Sequence, residues 1–160
     1  MRNLLSSALV IAGFVAIPAI VAAQTSAPAP QPQAYRPGLG DLMTMTVQPR
    51  HIKLALAGKE KNWVYAAYEL HELEEAFDRV VRAWPQWRAV PIADMMTSVK
   101  EPMAEMAKAI KAADVTAFDT AYGDLTRGCN GCHLGAKRGM IVIKTPDAAM
   151  FPDQDFRPVQ

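Results

Sequence analysis

From Asp41 to Gly139 apolar residues recur at spacings of three and four, a period that predicts helices rather than strands. In the first predicted helix Leu42, Met45, Pro49, Ile52 and Leu56 share one stripe. Met43, Val47, His51 and Leu54 form an adjoining stripe, so a wide apolar face is expected, ending at Gly58. Pro49 lacks a backbone donor and frees the carbonyl of Met45, which predicts a kink or a helix start near it. The second helix is the clearest: Trp63, Ala67, Leu70, Leu73, Phe77, Val80, Val81 and Trp84 line one face, with Glu69, Glu72, Glu75 and Asp78 off it. Asn62 suits its N-cap, and Trp84-Pro85 stops it, because the residue before proline avoids the helical region.

A third helix is predicted from about Asp94 to Ala113, with Met95, Val99, Met103, Met106 and Ile110 on one face. Pro102 should either end a first short turn near Lys100 or kink the helix. Asp114 caps the fourth, whose stripe Val115, Phe118, Ala121, Tyr122 and Leu125 continues to Cys129 and Cys132. That helix should stop at Gly139. Four apolar-striped helices on short connections predict an all-α fold, an antiparallel up-and-down four-helix bundle with an irregular C-terminal tail. In that topology the end of the last helix lies beside the start of the first. The tail over 140–160, punctuated by Pro146, Pro152 and Pro158, cannot be one long helix and should wrap back over the domain at 41–139.

Before the helices the pattern differs. Arg2 and an apolar run from Leu4 to Ile20, ending in Val21-Ala22-Ala23, read as a secretory signal peptide over 1–23, cleaved after Ala23. An uncleaved membrane anchor is the alternative, since the run approaches spanning length. Residues 24–40, with Pro28, Pro30, Pro32 and Pro37 among Ala, Gln and Ser, read as a linker or disordered arm. Removing the signal takes one of 17 basic residues and none of 16 acidic ones, so the mature chain is formally neutral. Such a balance offers no basic excess to nucleic acid or to an anionic membrane, and no membrane association is expected after cleavage.

The chemistry concentrates in Cys129-Asn130-Gly131-Cys132-His133, which holds the only 2 cysteines of the chain. A Cys-x-x-Cys-His run is the pattern of covalent c-type haem attachment. Residues at i and i+3 of a helix share a face, so both thiols reach one macrocycle, and His133 can serve as the proximal ligand of the iron. A zinc site would need further Cys or His ligands, and a redox-active dithiol would want a βαβ setting. Export agrees with the haem reading, since c-type haem is attached outside the bacterial cytoplasm; the expected location is the periplasm.

Taken together, the signal peptide, the helix count and the late CNGCH make the chain similar to the four-helix-bundle c-type cytochromes, the group that includes cytochrome c′. It also resembles a broader set of periplasmic four-helix cytochromes in Gln48-Pro49-Arg50-His51-Ile52-Lys53-Leu54, Asn62-Trp63 with Tyr68-Glu69-Leu70, and Thr126-Arg127-Gly128-Cys129-Asn130-Gly131-Cys132-His133. The extension after Gly139 is longer than cytochrome c′ carries. The resemblance implies one haem c, a redox partner protein, and a homodimer through the first two helices.

Function then turns on what faces His133 across the iron. His51 is one distal candidate, facing inward on its stripe; Met43 and Met45, nearer the helix start, are the alternatives, and methionines at such spacing also serve as core filler. A six-coordinate site transfers electrons, whereas an open sixth position binds small gases such as nitric oxide or carbon monoxide. Electron transfer is the expected role, gas binding the alternative, and no enzymatic activity is expected. A peroxidase-like site could be built from His51 with Arg50, but nothing else in the chain forms a substrate pocket. Arg50, Arg127, Lys137 and Arg138 are candidates for haem carboxylates or for plain solvation, and His71 beside Glu74, Glu75 and Asp78 reads as a surface histidine.

Overall fold

The computed structural model describes residues 35–147, 151 and 153–159; the expected signal segment and residues 24–34 of the linker lie outside them. Among the described residues the protein is all-α. Its elements are α1 (Leu39–Leu42), a π-helical turn (Met43–Val47), α2 (Gln48–Lys59), α3 (Trp63–Ala83), α4 (Ile92–Met95), α5 (Thr97–Ala112) and α6 (Val115–Gly135). One isolated bridge pairs Trp87 with Val90 in the connection after α3. No helix among the described residues is long and apolar enough to cross a membrane.

The backbone stays right-handed helical from α1 through the π-turn into α2, with Pro49 in the first turn of α2. A proline there requires no donor of its own, and the wider turn before it accommodates its ring. The same turn changes the phase of the helix by one residue. Hence Met45, expected on the inner stripe, is 75% exposed, while Leu42 before the turn and Val47 and His51 after it are buried.

Three helix ends use one device. Asn62 N–H bonds Ala57 O and Lys61 N–H bonds Gly58 O after α2; Asp114 and Ala113 do the same to Ala109 and Ile110 after α5; Arg138 and Lys137 do so to His133 and Leu134 after α6. These are Schellman closures, and the left-handed residue in each is Lys61, Ala113 or Lys137 rather than glycine. The expected stops at Gly58 and Gly139 are therefore corrected: α2 passes through Gly58 to Lys59, and α6 stops at Gly135. Gly58 is instead a packing position, where an added Cβ would lie 2.1 Å from Cε1 of Phe118. At the helix starts the sequence expectation holds, as Asn62 accepts Tyr65 N–H at 3.1 Å and Asp114 accepts Ala117 N–H at 3.0 Å.

The expected third helix is two pieces. Its break falls at Met96, between α4 and α5, and Pro102 sits inside α5. Gly128 of α6 faces this region, since a Cβ there would come 3.0 Å from Ser98 O. A side chain at this position would press on Ser98 O and on Val99 Cγ1, at 3.1 Å, so glycine eases the close approach of the two backbones.

One core joins α2, α3, α5 and α6 through Leu54, Leu73, Val80, Val99, Met106 and Leu125. Glu69 corrects the expected stripe of α3: it is 0% exposed, on the inner face with Ala66 and Leu73. Arg50 accounts for this, bridging Glu69 at 3.2 Å and Glu72 at 3.0 Å. A smaller cluster of Ile52, Leu56 and Phe156, with Tyr65 and Phe151 against it, brings the end of the chain onto α2 and α3. Asn62 donates through Nδ2 to Phe156 O and Arg157 O, both at 3.1 Å. At the other end of α3, Trp84 donates to Pro37 O at 2.9 Å, and the Arg36 guanidinium lies 3.4 Å from the centre of its ring.

Candidate functional site

A cavity of about 340 Å³ opens at the C-terminal end of α6. The helix brings Cys129, Cys132 and His133 to its wall, as the i, i+3 and i+4 spacing requires. Leu39, Met43, Val47, Gln48 and His51 come from α1, the π-turn and α2; Phe77 comes from α3. Trp87, Ile92, Met95 and Met96, between α3 and α5, and Val99 in the first turn of α5 supply more of the wall. After α6, Arg138, Ile141 and Ile143 complete it. The wall is largely apolar, with few polar groups, as a site for a flat organic group would be.

Both cysteines are free thiols, half-buried. Burial, and then the neighbouring Cys132, push the Cys129 thiol up to about 11; burial also raises Cys132. Redox-active Cys-x-x-Cys pairs have the opposite property, a lowered thiol pKa. Among the described residues no three His, Cys, Asp or Glu side chains gather to hold a metal ion.

The imidazole of His133 is fixed by the chain that follows it. Nδ1 lies 2.9 Å from Ile141 O. A carbonyl only accepts, so Nδ1 carries the proton and Nε2 keeps its lone pair. The backbone turns back after the Schellman closure through Ile141 N–H to Arg138 O at 2.8 Å. Asn130 then pairs with Ile143 twice, donating Nδ2 to Ile143 O and accepting Ile143 N–H, each at 2.8 Å.

His51 also lies on the cavity wall, but its nitrogens are engaged on α6. Nε2 is 3.1 Å from Thr126 Oγ1 and Nδ1 is 2.8 Å from Tyr122 OH. Thr126 gives its own proton to Tyr122 O at 2.9 Å, so it accepts from Nε2–H, and the Tyr122 hydroxyl is shared between Nδ1 and His51 O. This assigns a neutral Nε2–H imidazole, and burial lowers its pKa to about 4.

The structure thus gathers Cys129, Cys132, His133, His51 and Met43 around one space and leaves Met45 outside it. Arg50 is committed to Glu69 and Glu72 and forms no part of the wall, so it makes no acid/base pair with His51. Tyr122 is spent on His51 and Trp63 packs edge-on against Phe118. Arg138 lies over the Trp87 ring at 4.8 Å, Arg127 pairs with Asp124, and His71 is an exposed partner of Glu75 at 3.5 Å. Periodicity singles out none of the wall residues Trp87, Met96, Ile141 and Ile143, and places Met95 only on the apolar face of the third predicted helix. For Ile141 and Ile143 the one signal is the apolar run Ile141-Val142-Ile143 soon after the motif.

The donor set fits a covalently held haem: two protonated thiols one helical turn apart, and an imidazole whose second nitrogen is already committed to a carbonyl, as metal-bound histidines usually are. Compared with known protein families, with curated proteins and with solved structures, the chain shows no match.

Proposed function

We propose that the chain is an exported, periplasmic monohaem c-type cytochrome that passes electrons to and from a partner protein. The observation that carries this reading is the juxtaposition of both thiols with His133, whose Nδ1–H is given to Ile141 O, on one largely apolar cavity. Cys129 and Cys132 would bind the haem covalently and His133 would hold the iron through Nε2. The haem would supply a one-electron couple. Leu39, Phe77 and Ile92 give the cavity apolar surface, which favours electron exchange over side reactions. Arg138 is the wall cation suited to a carboxylate. In this reading Met43, whose side chain lines the cavity, would supply a thioether to the iron, because His51 has no uncommitted nitrogen.

The helices of this protein, in the same reading, form an antiparallel up-and-down bundle. Neighbour relations support it: α2 packs on α3, α3 on α5, α5 on α6 and α6 on α2, a closed ring.

A second reading rests on the hydrogen bonds of His51. Should Met43 stay a wall residue, the engaged His51 leaves the sixth position open to small gases. Absorption spectra of the oxidised and reduced protein, with and without carbon monoxide, separate the two. A low-spin spectrum indifferent to carbon monoxide, turned high-spin by Met43→Ala and unchanged by His51→Gln, is the expected result. A high-spin spectrum that shifts with carbon monoxide establishes the gas-binding reading. Polypeptide without covalent haem after expression with attachment machinery rules out both.

A further inference from the structure

The arm at Ile141–Ile143 makes three hydrogen bonds back to side chains of the haem motif, and they form one unit. His133 gives Nδ1–H to Ile141 O at 2.9 Å, while Asn130 donates to Ile143 O and accepts Ile143 N–H at 2.8 Å. Asn130 and His133 stand three residues apart on one helix face; Ile141 and Ile143 stand two apart on an extended chain, which also places both on the cavity wall. The paired bonds to Ile143 fix both the amide orientation of Asn130 and the position of the arm. Ile141 O is therefore held opposite His133 by a side chain that does not touch the imidazole.

We propose that Asn130 and the Ile141–Ile143 arm form a clamp that holds His133 as the Nδ1–H tautomer with Nε2 presented to the cavity, making Asn130 a positioning residue for the proximal ligand. The proposal rests on the haem reading of the site. An imidazole that gives its second N–H to a carbonyl is a more basic ligand, which favours ferric over ferrous iron. Loss of the clamp lets Ile141 O drift, weakens that bond and raises the midpoint potential.

The test uses the full-length, haem-loaded protein as wild type, Asn130→Leu, Ile143→Pro and the double variant. Ile143→Pro removes the N–H that Asn130 accepts and leaves the donated bond, so it breaks half the clamp. All four should carry covalent haem by mass and keep the wild-type far-ultraviolet circular dichroism. Asn130→Leu should raise the ferrous-to-ferric ratio severalfold at a fixed poise, Ile143→Pro should raise it less, and the double variant no more than Asn130→Leu. An unchanged midpoint in Asn130→Leu, or effects that simply add, overturns the proposal. If the wild type carries no covalent haem, the function proposed above falls and the clamp is read from nitrogen-15 shifts of His133 in the haem-free chain. Nδ1–H in wild type with Nε2–H in Asn130→Leu then upholds it, and the same tautomer in both overturns it.

Discussion

The buried imidazole of His51 carries a pH dependence of its own. Burial lowers its folded-state pKa from 6.5 to about 4, so between those values the unfolded chain binds the proton that the folded chain refuses. Stability is therefore complete above the unfolded pKa and is lost as pH falls through 6.5 toward 4, by up to ~3 kcal/mol. Thermal unfolding between pH 7 and 4 should show this slope, and His51→Gln, which keeps a donor and an acceptor without a titrating ring, should flatten it. The sequence placed His51 inward correctly, because helical period determines facing. Its partners Tyr122 and Thr126 lie 71 and 75 residues away, and no local pattern joins them. Glu69 was misread for the converse reason: period alone marks a carboxylate as outward, and only Arg50 on another helix makes its burial tolerable.

Among the elements, helix starts were legible and helix stops were not. A cap side chain such as Asn62 or Asp114 announces itself by its chemistry, whereas Lys61, Ala113 and Lys137 adopt left-handed conformations with no special residue type. The nearby glycines drew the expectation instead. Gly58 is needed for contact between α2 and α6, where a Cβ would lie 2.1 Å from the Phe118 ring, so Gly58→Ala should destabilise the protein by ~1–3 kcal/mol despite its better helix propensity. Gly123→Ala, whose Cβ would meet only Arg127 at an ordinary 3.5 Å, is the matched control and should be neutral or stabilising in chemical denaturation. The π-turn at Met43–Val47 belongs to the same lesson, since one inserted residue moves every position before it out of phase with those after it. Met43 and Met45, both expected on the apolar face, part company within this turn: the latter is exposed and the former lines the cavity.

At the level of the whole molecule, all-helical character and the gathering of both cysteines, His133 and the first helix at one cavity could be read from the chain, because they follow from periodicity and spacing. The course of the tail could not, since its anchors are long-range. One anchor is the pairing of Asn130 with Ile143; the other is Phe156, 6% exposed against Ile52 and Leu56. Phe156→Ala should cost ~2–4 kcal/mol, the lower part of the range applying because the tail can leave rather than enclose a void. Hydrogen exchange should then accelerate at residues 151–157 while the Ile143 amide stays protected. Loss of protection at both places would show the tail to be one cooperative unit.

The arm that closes over Cys129, Cys132 and His133 comes after them in the chain. If the chain crosses a membrane N-terminus first, as the proposed export implies, the thiols come through before Ile141 and Ile143 follow to complete the wall. On that route the wall is completed last, and an emerging polypeptide has an interval in which its two sulfurs are open to chemistry that the folded protein then shelters.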